Sequence, residues 1–340
     1  MNNNPYVKEL YSVLSQKGEK QEDIDAACKY AENLIALNLP VVFNKEHFSL
    51  LVGRKYKEIT TLMATLETNY YHLAYIKKKN GGERTLNIPA VSLRIIQRWI
   101  LDNILKNMYI SQYAMGFCKN KSIVTNAKYH LGKTCVINVD LKDFFPSITQ
   151  KQIFNIFYYY GYTIDVSYML SRLCTCEGRL PQGAPTSPCL SNIVCLKLDK
   201  RLSEVSKRFK AEYTRYADDI TFSSNSDISN ILPIVKEIIQ DEGFQLNEKK
   251  TRILFKHQKQ EVTGLLVNGN QIRVDKKYIK KFKQEIYYCK KYGVEDHLEH
   301  IDCKKHFYRD HMYGKAYFVK MVDEKVGKKL INELDSIDWE

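Results

Sequence analysis

Arg215-Tyr216-Ala217-Asp218-Asp219-Ile220-Thr221-Phe222 sets two adjacent carboxylates at a tight turn between two short β-like runs. Like charges that close repel, so such a pair is costly on its own. A cation on the pair removes the cost, and Mg²⁺ held by one or two carboxylates plus substrate phosphates is the usual one. Upstream, Val136-Ile137-Asn138-Val139-Asp140 is a β-branched apolar run that ends in a second acidic element. If strand and hairpin are neighbours in one sheet, Asp140 and Asp218 meet at its edge and can hold two metals roughly 3.5–4 Å apart, the layout of a phosphoryl-transfer centre. Asp219 adds charge, with a lesser role because its side chain can point elsewhere. The plain alternative is an aspartate-rich surface turn, and Asp140 at a strand end argues against it.

The rest of the chain is tested against that idea. Its 340 residues suffice for two or three packed subdomains. With 44% hydrophobic and 27% charged residues the composition is that of an ordinary soluble globular protein, with no apolar run long enough to span a membrane. The Met-Asn-Asn-Asn-Pro start is not a secretory signal. Nine scattered cysteines, with Cys174 and Cys176 only one residue apart, make neither a zinc site nor a disulfide framework. Reduced thiols in a bacterial-type cytoplasm are expected. The formal net charge of +13 with 24 tyrosines suits nucleic acid, since cations neutralise phosphates and rings stack on unpaired bases.

Residues 1–70 read as helical, with helices over Gln21 to Leu39 and His47 to Leu66. Ala74–Lys77 and Arg84–Ile88 read as strands joined by the turn Lys78-Lys79-Asn80-Gly81-Gly82. A helix from Leu93 to Met108 and the strand Cys135–Asp140 follow. The helix Thr149 to Tyr160 is expected to use Phe154, Phe157, Tyr158 and Tyr160 for core and helix-face packing and not as a base-stacking platform. Leu180-Pro181-Gln182-Gly183-Ala184-Pro185 is a stiff loop leading into a helix, capped by Thr186 or Ser187, that runs to about Phe209. After the acidic hairpin come a helix Leu232–Glu242 and a turn at Gly243. From about residue 272 the chain is a lysine- and tyrosine-rich helical tail. Strand, helix, loop-helix, hairpin, helix, strand is the order of a split βαβ, ferredoxin-like sheet.

Tyr216–Asp219 in a hairpin, Asp140 followed by Phe144-Phe145-Pro146-Ser147-Ile148, and Leu180 through Pro188 together resemble the reverse transcriptases, in that family's order, over about residues 70–270. Asn126-Ala127-Lys128-Tyr129-His130 and Val262-Thr263-Gly264 resemble two motifs of the bacterial retron type. The resemblance implies an α+β right-hand polymerase: a helical extension over 1–70, fingers over 71–134 with parts interleaved to 190, a palm over 135–270 and a helical thumb over 271–340. It implies an RNA-directed DNA polymerase, a nucleotidyltransferase that uses dNTPs and two Mg²⁺ ions, with Mn²⁺ as a substitute. It also implies a cognate structured noncoding RNA, priming from a guanosine 2′-hydroxyl, a branched RNA-linked DNA product and a role in antiviral defence beside a separate effector protein. No nuclease, maturase or ribonuclease H appendage is evident. An intron-type or stand-alone defence reverse transcriptase is the near alternative, and a non-catalytic RNA-binding scaffold the distant one.

Residue by residue, the resemblance makes Asp140, Asp218 and Asp219 the metal-binding carboxylates. Phe145, favoured over Phe144 by its spacing from Asp140, becomes the ring under the incoming sugar, where it would clash with a 2′-hydroxyl. Gln182 and Gly183 touch the incoming nucleotide. Lys77 and Arg84 grip its triphosphate, Arg being suited to bidentate phosphate contact. Lys250, with Lys249 as rival, is a general acid beside the leaving pyrophosphate. Tyr216 and Ala217 contact the primer end, the segment Val262–Leu266 grips the primer, and its Val262, Thr263 and Gly264 also help recognise the RNA. Asn126 and His130 help recognise RNA; on the residues alone His130 reads as a helix-face residue packing or capping locally. Lys276, Lys277 and Lys280 open the thumb and track a duplex backbone.

Overall fold

The computed structural model describes residues 4–77, 81–302 and 307–339. It is an α+β fold whose contacts divide into two compact units, each assembled from three stretches of chain. One takes the residues up to Phe117, Leu141–Arg201 and Glu237–Gln245; the other takes Cys118–Asp140, Leu202–Lys236 and everything from Leu246 onward. Among the described residues no helix is long and apolar enough to cross a membrane.

The first unit holds the N-terminal helices and a hairpin of strands β1 (Tyr71–Lys77) and β2 (Glu83–Pro89), paired antiparallel from Tyr71↔Pro89 to Lys77↔Glu83. Gly81 and Gly82 have positive φ, as the expected turn requires, while Lys78, Lys79 and Asn80 lie outside the described residues. Among the described residues this sheet has two strands, and Leu73, Tyr75 and Ile76 are exposed on it. Helix Val91–Asn103 buries Leu93, Ile96 and Ile100, and its buried Gln97 donates from Nε2 to the Tyr71 hydroxyl and the Leu173 carbonyl, both at 2.9 Å. The aromatic helix, Gln150–Tyr159, is fixed by a capping box between Thr149 and Gln152. Phe157 is fully buried, while Tyr158, 55% exposed, lies on the helix face stacked on Phe154 with ring centroids 5.9 Å apart. The run His47 to Leu66 is three short helices, Lys45–Leu51, Tyr56–Ala64 and Leu66–Asn69, because Gly53 and Thr65 interrupt it.

The second unit is built on a four-stranded antiparallel sheet of β3 (Cys135–Asp140), β4 (Glu212–Tyr216), β5 (Asp219–Ser224) and β6 (Arg252–Phe255). Their spatial order is β4-β5-β3-β6, that of a split βαβ sheet. β3 lies inside, between β5 and β6, and Cys135, Val136 and Ile137 are fully buried. Its β-branched residues suit that position. Asn138, the polar residue in the run, is satisfied by the Glu261 carbonyl at 2.8 Å and the Thr221 hydroxyl at 3.3 Å. A small hairpin of β7 (Glu261–Val262) and β8 (Leu265–Leu266) follows.

The tail is helical: Lys276–Tyr292, Val294–His300, Tyr308–Val322 and Glu324–Asp335. Phe282, Ile286, Met312, Ala316, Val319, Leu330 and Leu334 form its core. The last two helices make a hairpin through Asp323, whose side chain caps the second by accepting from the Val326 N–H at 3.0 Å. Gly327 lets them approach closely, since a Cβ built there would lie 2.2 Å from Lys320 Cα.

Candidate active site

The acidic hairpin is a two-residue turn. Tyr216 and Asp219 close it, and Ala217 and Asp218 span it. Ala217 is buried with φ +58°, a left-handed conformation normally left to glycine or asparagine. A methyl-bearing residue held there costs of order 1 kcal/mol or more. Arg215, wholly buried, braces it by donating from Nη1 to the Ala217 carbonyl at 3.2 Å.

Asp140, only 6% exposed, ends β3 directly opposite Asp219 on β5. Directly opposed like charges destabilise a ladder. Loss of solvation, then repulsion from Asp218 and Asp140, pushes the Asp219 carboxyl up to about 6, and only Lys250 opposes the rise. Asp219 faces Asp140 across the ladder with Asp218 in the adjoining turn, so like charges gather at this edge. Lys250 Nζ donates to Asp140 Oδ2 at 2.9 Å, and this bond raises the ammonium above its ordinary range. Asn247 donates from Nδ2 to Asp140 Oδ1 at 2.9 Å and from its backbone N–H to the Asp140 carbonyl at 2.8 Å. Asp140, Asp218, Asp219 and Lys250 are thus one coupled group. Both Lys249 and Lys250 are exposed, and it is the Lys250 ammonium that reaches Asp140.

An all-oxygen donor set of this charge suits Mg²⁺ or Mn²⁺. Among the described residues no three acidic, histidine or cysteine groups already stand close enough to cage an ion. The three carboxylates would supply part of a shell for a divalent ion that keeps waters and takes substrate oxygens.

The residues expected at the nucleotide lie in the first unit. The Gln182 carbonyl accepts from the Asn87 N–H of β2 at 2.8 Å. Gly183 has φ +128°, and a Cβ there would stand 2.7 Å from the Asn87 carbonyl oxygen, so only glycine lets this loop lie on the strand. Phe144 is buried against Phe244, ring centroids 5.8 Å apart, while Phe145 is half-exposed between Phe144 and Phe117. Of the two rings Phe145 is the one with a free surface. Lys77 ends β1 and Arg84 lies in β2 across from Ile76; their side chains lie outside the described residues.

The two retron-type motifs meet in the second unit. Asn126, on helix Ile123–Lys128, donates to Thr263 Oγ1 at 3.4 Å, and Ala127 packs with Val262, Leu265 and Val267. Thr263 and Gly264 form the β7–β8 turn, both with positive φ. Asn126 is 1% exposed and His130 fully buried, so both side chains face the interior of the second unit. The His130 ring bridges Ser223 and Thr214, each hydroxyl 2.7 Å from a ring nitrogen, and stitches β4 to β5. Lys276, Lys277 and Lys280 are exposed on their helix. Sequence reading assigns Asn247 no role; its place three residues before Lys250 is the available signal.

Burial, with some repulsion from Lys133, holds His130 down to about 3 from an ordinary 6.5. The unfolded chain then binds the proton first, so His130 stabilises fully above about pH 6.5. Each unit below that, down to about 3, costs about 1.4 kcal/mol. Urea midpoints from pH 7.5 to 4.5 should fall less steeply for His130→Asn than for the wild type; equal slopes would refute a buried neutral ring.

Residues 76–267 match the family model described as reverse transcriptase (RNA-dependent DNA polymerase). The retron Ec86 reverse transcriptase of Escherichia coli is 33% identical over 307 residues, covering 89% of this chain and 92% of that protein. The chain belongs to the retron reverse transcriptases. The retron Mx162 and Mx65 reverse transcriptases of Myxococcus xanthus are 34% and 32% identical, each over 77% of this chain; the chain spans only 60% and 63% of their lengths. A telomerase from Candida albicans, solved with a fragment of telomeric RNA, aligns with 81% of this chain and 59% of its own at 12% identity and a TM-score of 0.44, and nothing below depends on it. As a retron reverse transcriptase the protein is an RNA-directed DNA polymerase that works on a template RNA with dNTPs, and its family uses divalent metal ions.

Proposed function

We propose that this retron reverse transcriptase binds a structured noncoding RNA of its own and copies part of it into DNA from a guanosine 2′-hydroxyl, leaving branched RNA-linked msDNA. Its setting is the cytoplasm and its role anti-phage defence with a separate effector protein. Asp140, Asp218 and Asp219 would hold two Mg²⁺ ions, which when bound activate the attacking hydroxyl and neutralise the leaving phosphate. The observation that carries the catalytic reading is the pairing of Asp140 with Asp219 across β3 and β5, with Asp218 in the adjoining turn.

The other residues position and discriminate. Lys77 and Arg84 grip the triphosphate, Gln182 and Gly183 bring backbone against the nucleotide, and Lys250 hands a proton to the departing pyrophosphate. Tyr216 and Ala217 face the primer end, with Val262, Thr263 and Gly264 on the primer strand. Lys276, Lys277 and Lys280 follow the duplex backbone and belong to a thumb over 271–340, with a palm over 135–270 and fingers over 71–134. Asn126 and His130 act by shaping the surface that the β7–β8 turn presents to RNA.

Phe145 selects deoxynucleotides. Phe145→Ala is expected to raise ribonucleotide incorporation relative to dNTPs on the order of 10- to 100-fold; steady-state single-nucleotide extension measures it, and an unchanged ratio removes the role. The wider proposal is tested by sequencing the nucleic acid that copurifies with the protein. A single RNA species joined to DNA supports it, and unlinked heterogeneous RNA counts against it.

A further inference from the structure

We propose that Asn247 is the positioning residue of the Asp140 carboxylate, and that Lys250 occupies the oxygen of Asp140 that the metal takes, leaving it when metal binds. The inference rests on reading Asp140 as a metal ligand. A carboxylate as buried as Asp140 must have partners. Its two oxygens have partners of opposite character: Oδ1 accepts from the neutral amide of Asn247 and Oδ2 from the ammonium of Lys250, both at 2.9 Å.

Asn247 is held from both sides. Its N–H donates to the Asp140 carbonyl at 2.8 Å. Its own carbonyl accepts from the N–H of Lys250 at 3.0 Å and from the N–H and Oγ1 of Thr251, each at 3.1 Å. Its amide therefore meets Asp140 in a fixed register and orients the carboxylate plane. Being uncharged, it does not compete with a cation for the other oxygen. Partners of this kind commonly change metal affinity 10- to 100-fold.

Lys250 is the opposite. Its side chain is 58% exposed, on a flexible stem, and touches Asp140 through one bond. Only the carboxylate end of this pair is buried; the ammonium end stays in solvent and can swing away. The ammonium supplies a single positive charge beside three carboxylates, and a divalent ion supplies two, so the ion displaces it. Release also frees Lys250 for the departing pyrophosphate, so one residue guards the empty site and serves the filled one.

The test is Mn²⁺ binding by calorimetry to protein free of nucleic acid and nucleotide. Lys250→Met should bind Mn²⁺ about 2- to 5-fold more tightly, because a competitor is gone, while primer extension with Mg²⁺ slows. Asn247→Ala should bind about 10-fold more weakly. Unchanged or weaker binding by Lys250→Met overturns the displacement, and unchanged binding by Asn247→Ala overturns the positioning. Lys250→Met alters an exposed side chain, so it decides the first point even if Asn247→Ala fails to fold. Asp140→Asn is the control. If it binds Mn²⁺ like the wild type, the metal-ligand reading itself is wrong; if it loses Mn²⁺, the other two variants judge the inference alone.

Discussion

Asp218→Asn is expected to lose primer extension by at least about 10³-fold, a barrier increase of about 4 kcal/mol, while melting at the same temperature as the wild type or higher. The two halves have one cause. Asp218 contributes to the repulsion that raises Asp219, at an edge where Asp140 already faces Asp219 across the ladder. Without a cation that charge is a burden on the fold, so an isosteric amide removes strain. With a cation it is the reason for binding, so the amide removes chemistry. The measurement is extension of an annealed primer on RNA beside a thermal melt of the metal-free protein. Near-normal extension would sink the assignment of the turn. A large drop in melting temperature would instead give Asp218 a structural task.

Gly327→Ala should destabilise the helical tail by about 2 kcal/mol or more. Alanine is the better helix former by about 1 kcal/mol, which pulls the other way. The added methyl, however, would lie 2.2 Å from Lys320 Cα and 2.5 Å from Lys320 N, backbone that cannot swing aside as a side chain could. Overpacking of that severity exceeds the propensity gain. Gly314, in the facing helix, has open space where its Cβ would go, so Gly314→Ala should be neutral or stabilising by up to about 1 kcal/mol. Chemical denaturation followed by helix signal separates the pair. Equal effects at both positions would mean that the helices do not cross where Gly327 places them.

Much of the site was legible because its signals are local. Two carboxylates between β-type runs announce a turn, and a β-branched run ending in aspartate announces a strand end; their meeting needed only the usual order of a split βαβ sheet. Helix boundaries were less legible, since Gly53 and Thr65 break a periodic run without altering its pattern. The two compact units were not legible, because each gathers three separate stretches whereas sequence reading cuts a chain into consecutive blocks. Burial of polar residues was the deepest gap. Nothing in the order Asn126 to His130 says that the imidazole points at Thr214 and Ser223, residues more than eighty positions away. The partnership of Asn247 with Asp140 was hidden for the same reason.

The β1–β2 hairpin has a bearing on how the molecule keeps to itself. A ribbon of two strands leaves backbone donors and acceptors along a rim, and this one displays Leu73, Tyr75 and Ile76 beside them. Rims of that kind invite copies to stack edge to edge, and lysine is a common deterrent. The sequence sets Lys77, Lys78 and Lys79 directly after those residues. Exchanging these lysines for neutral residues would therefore cost colloidal good behaviour as well as charge, and a loss of yield in such variants would say nothing about catalysis.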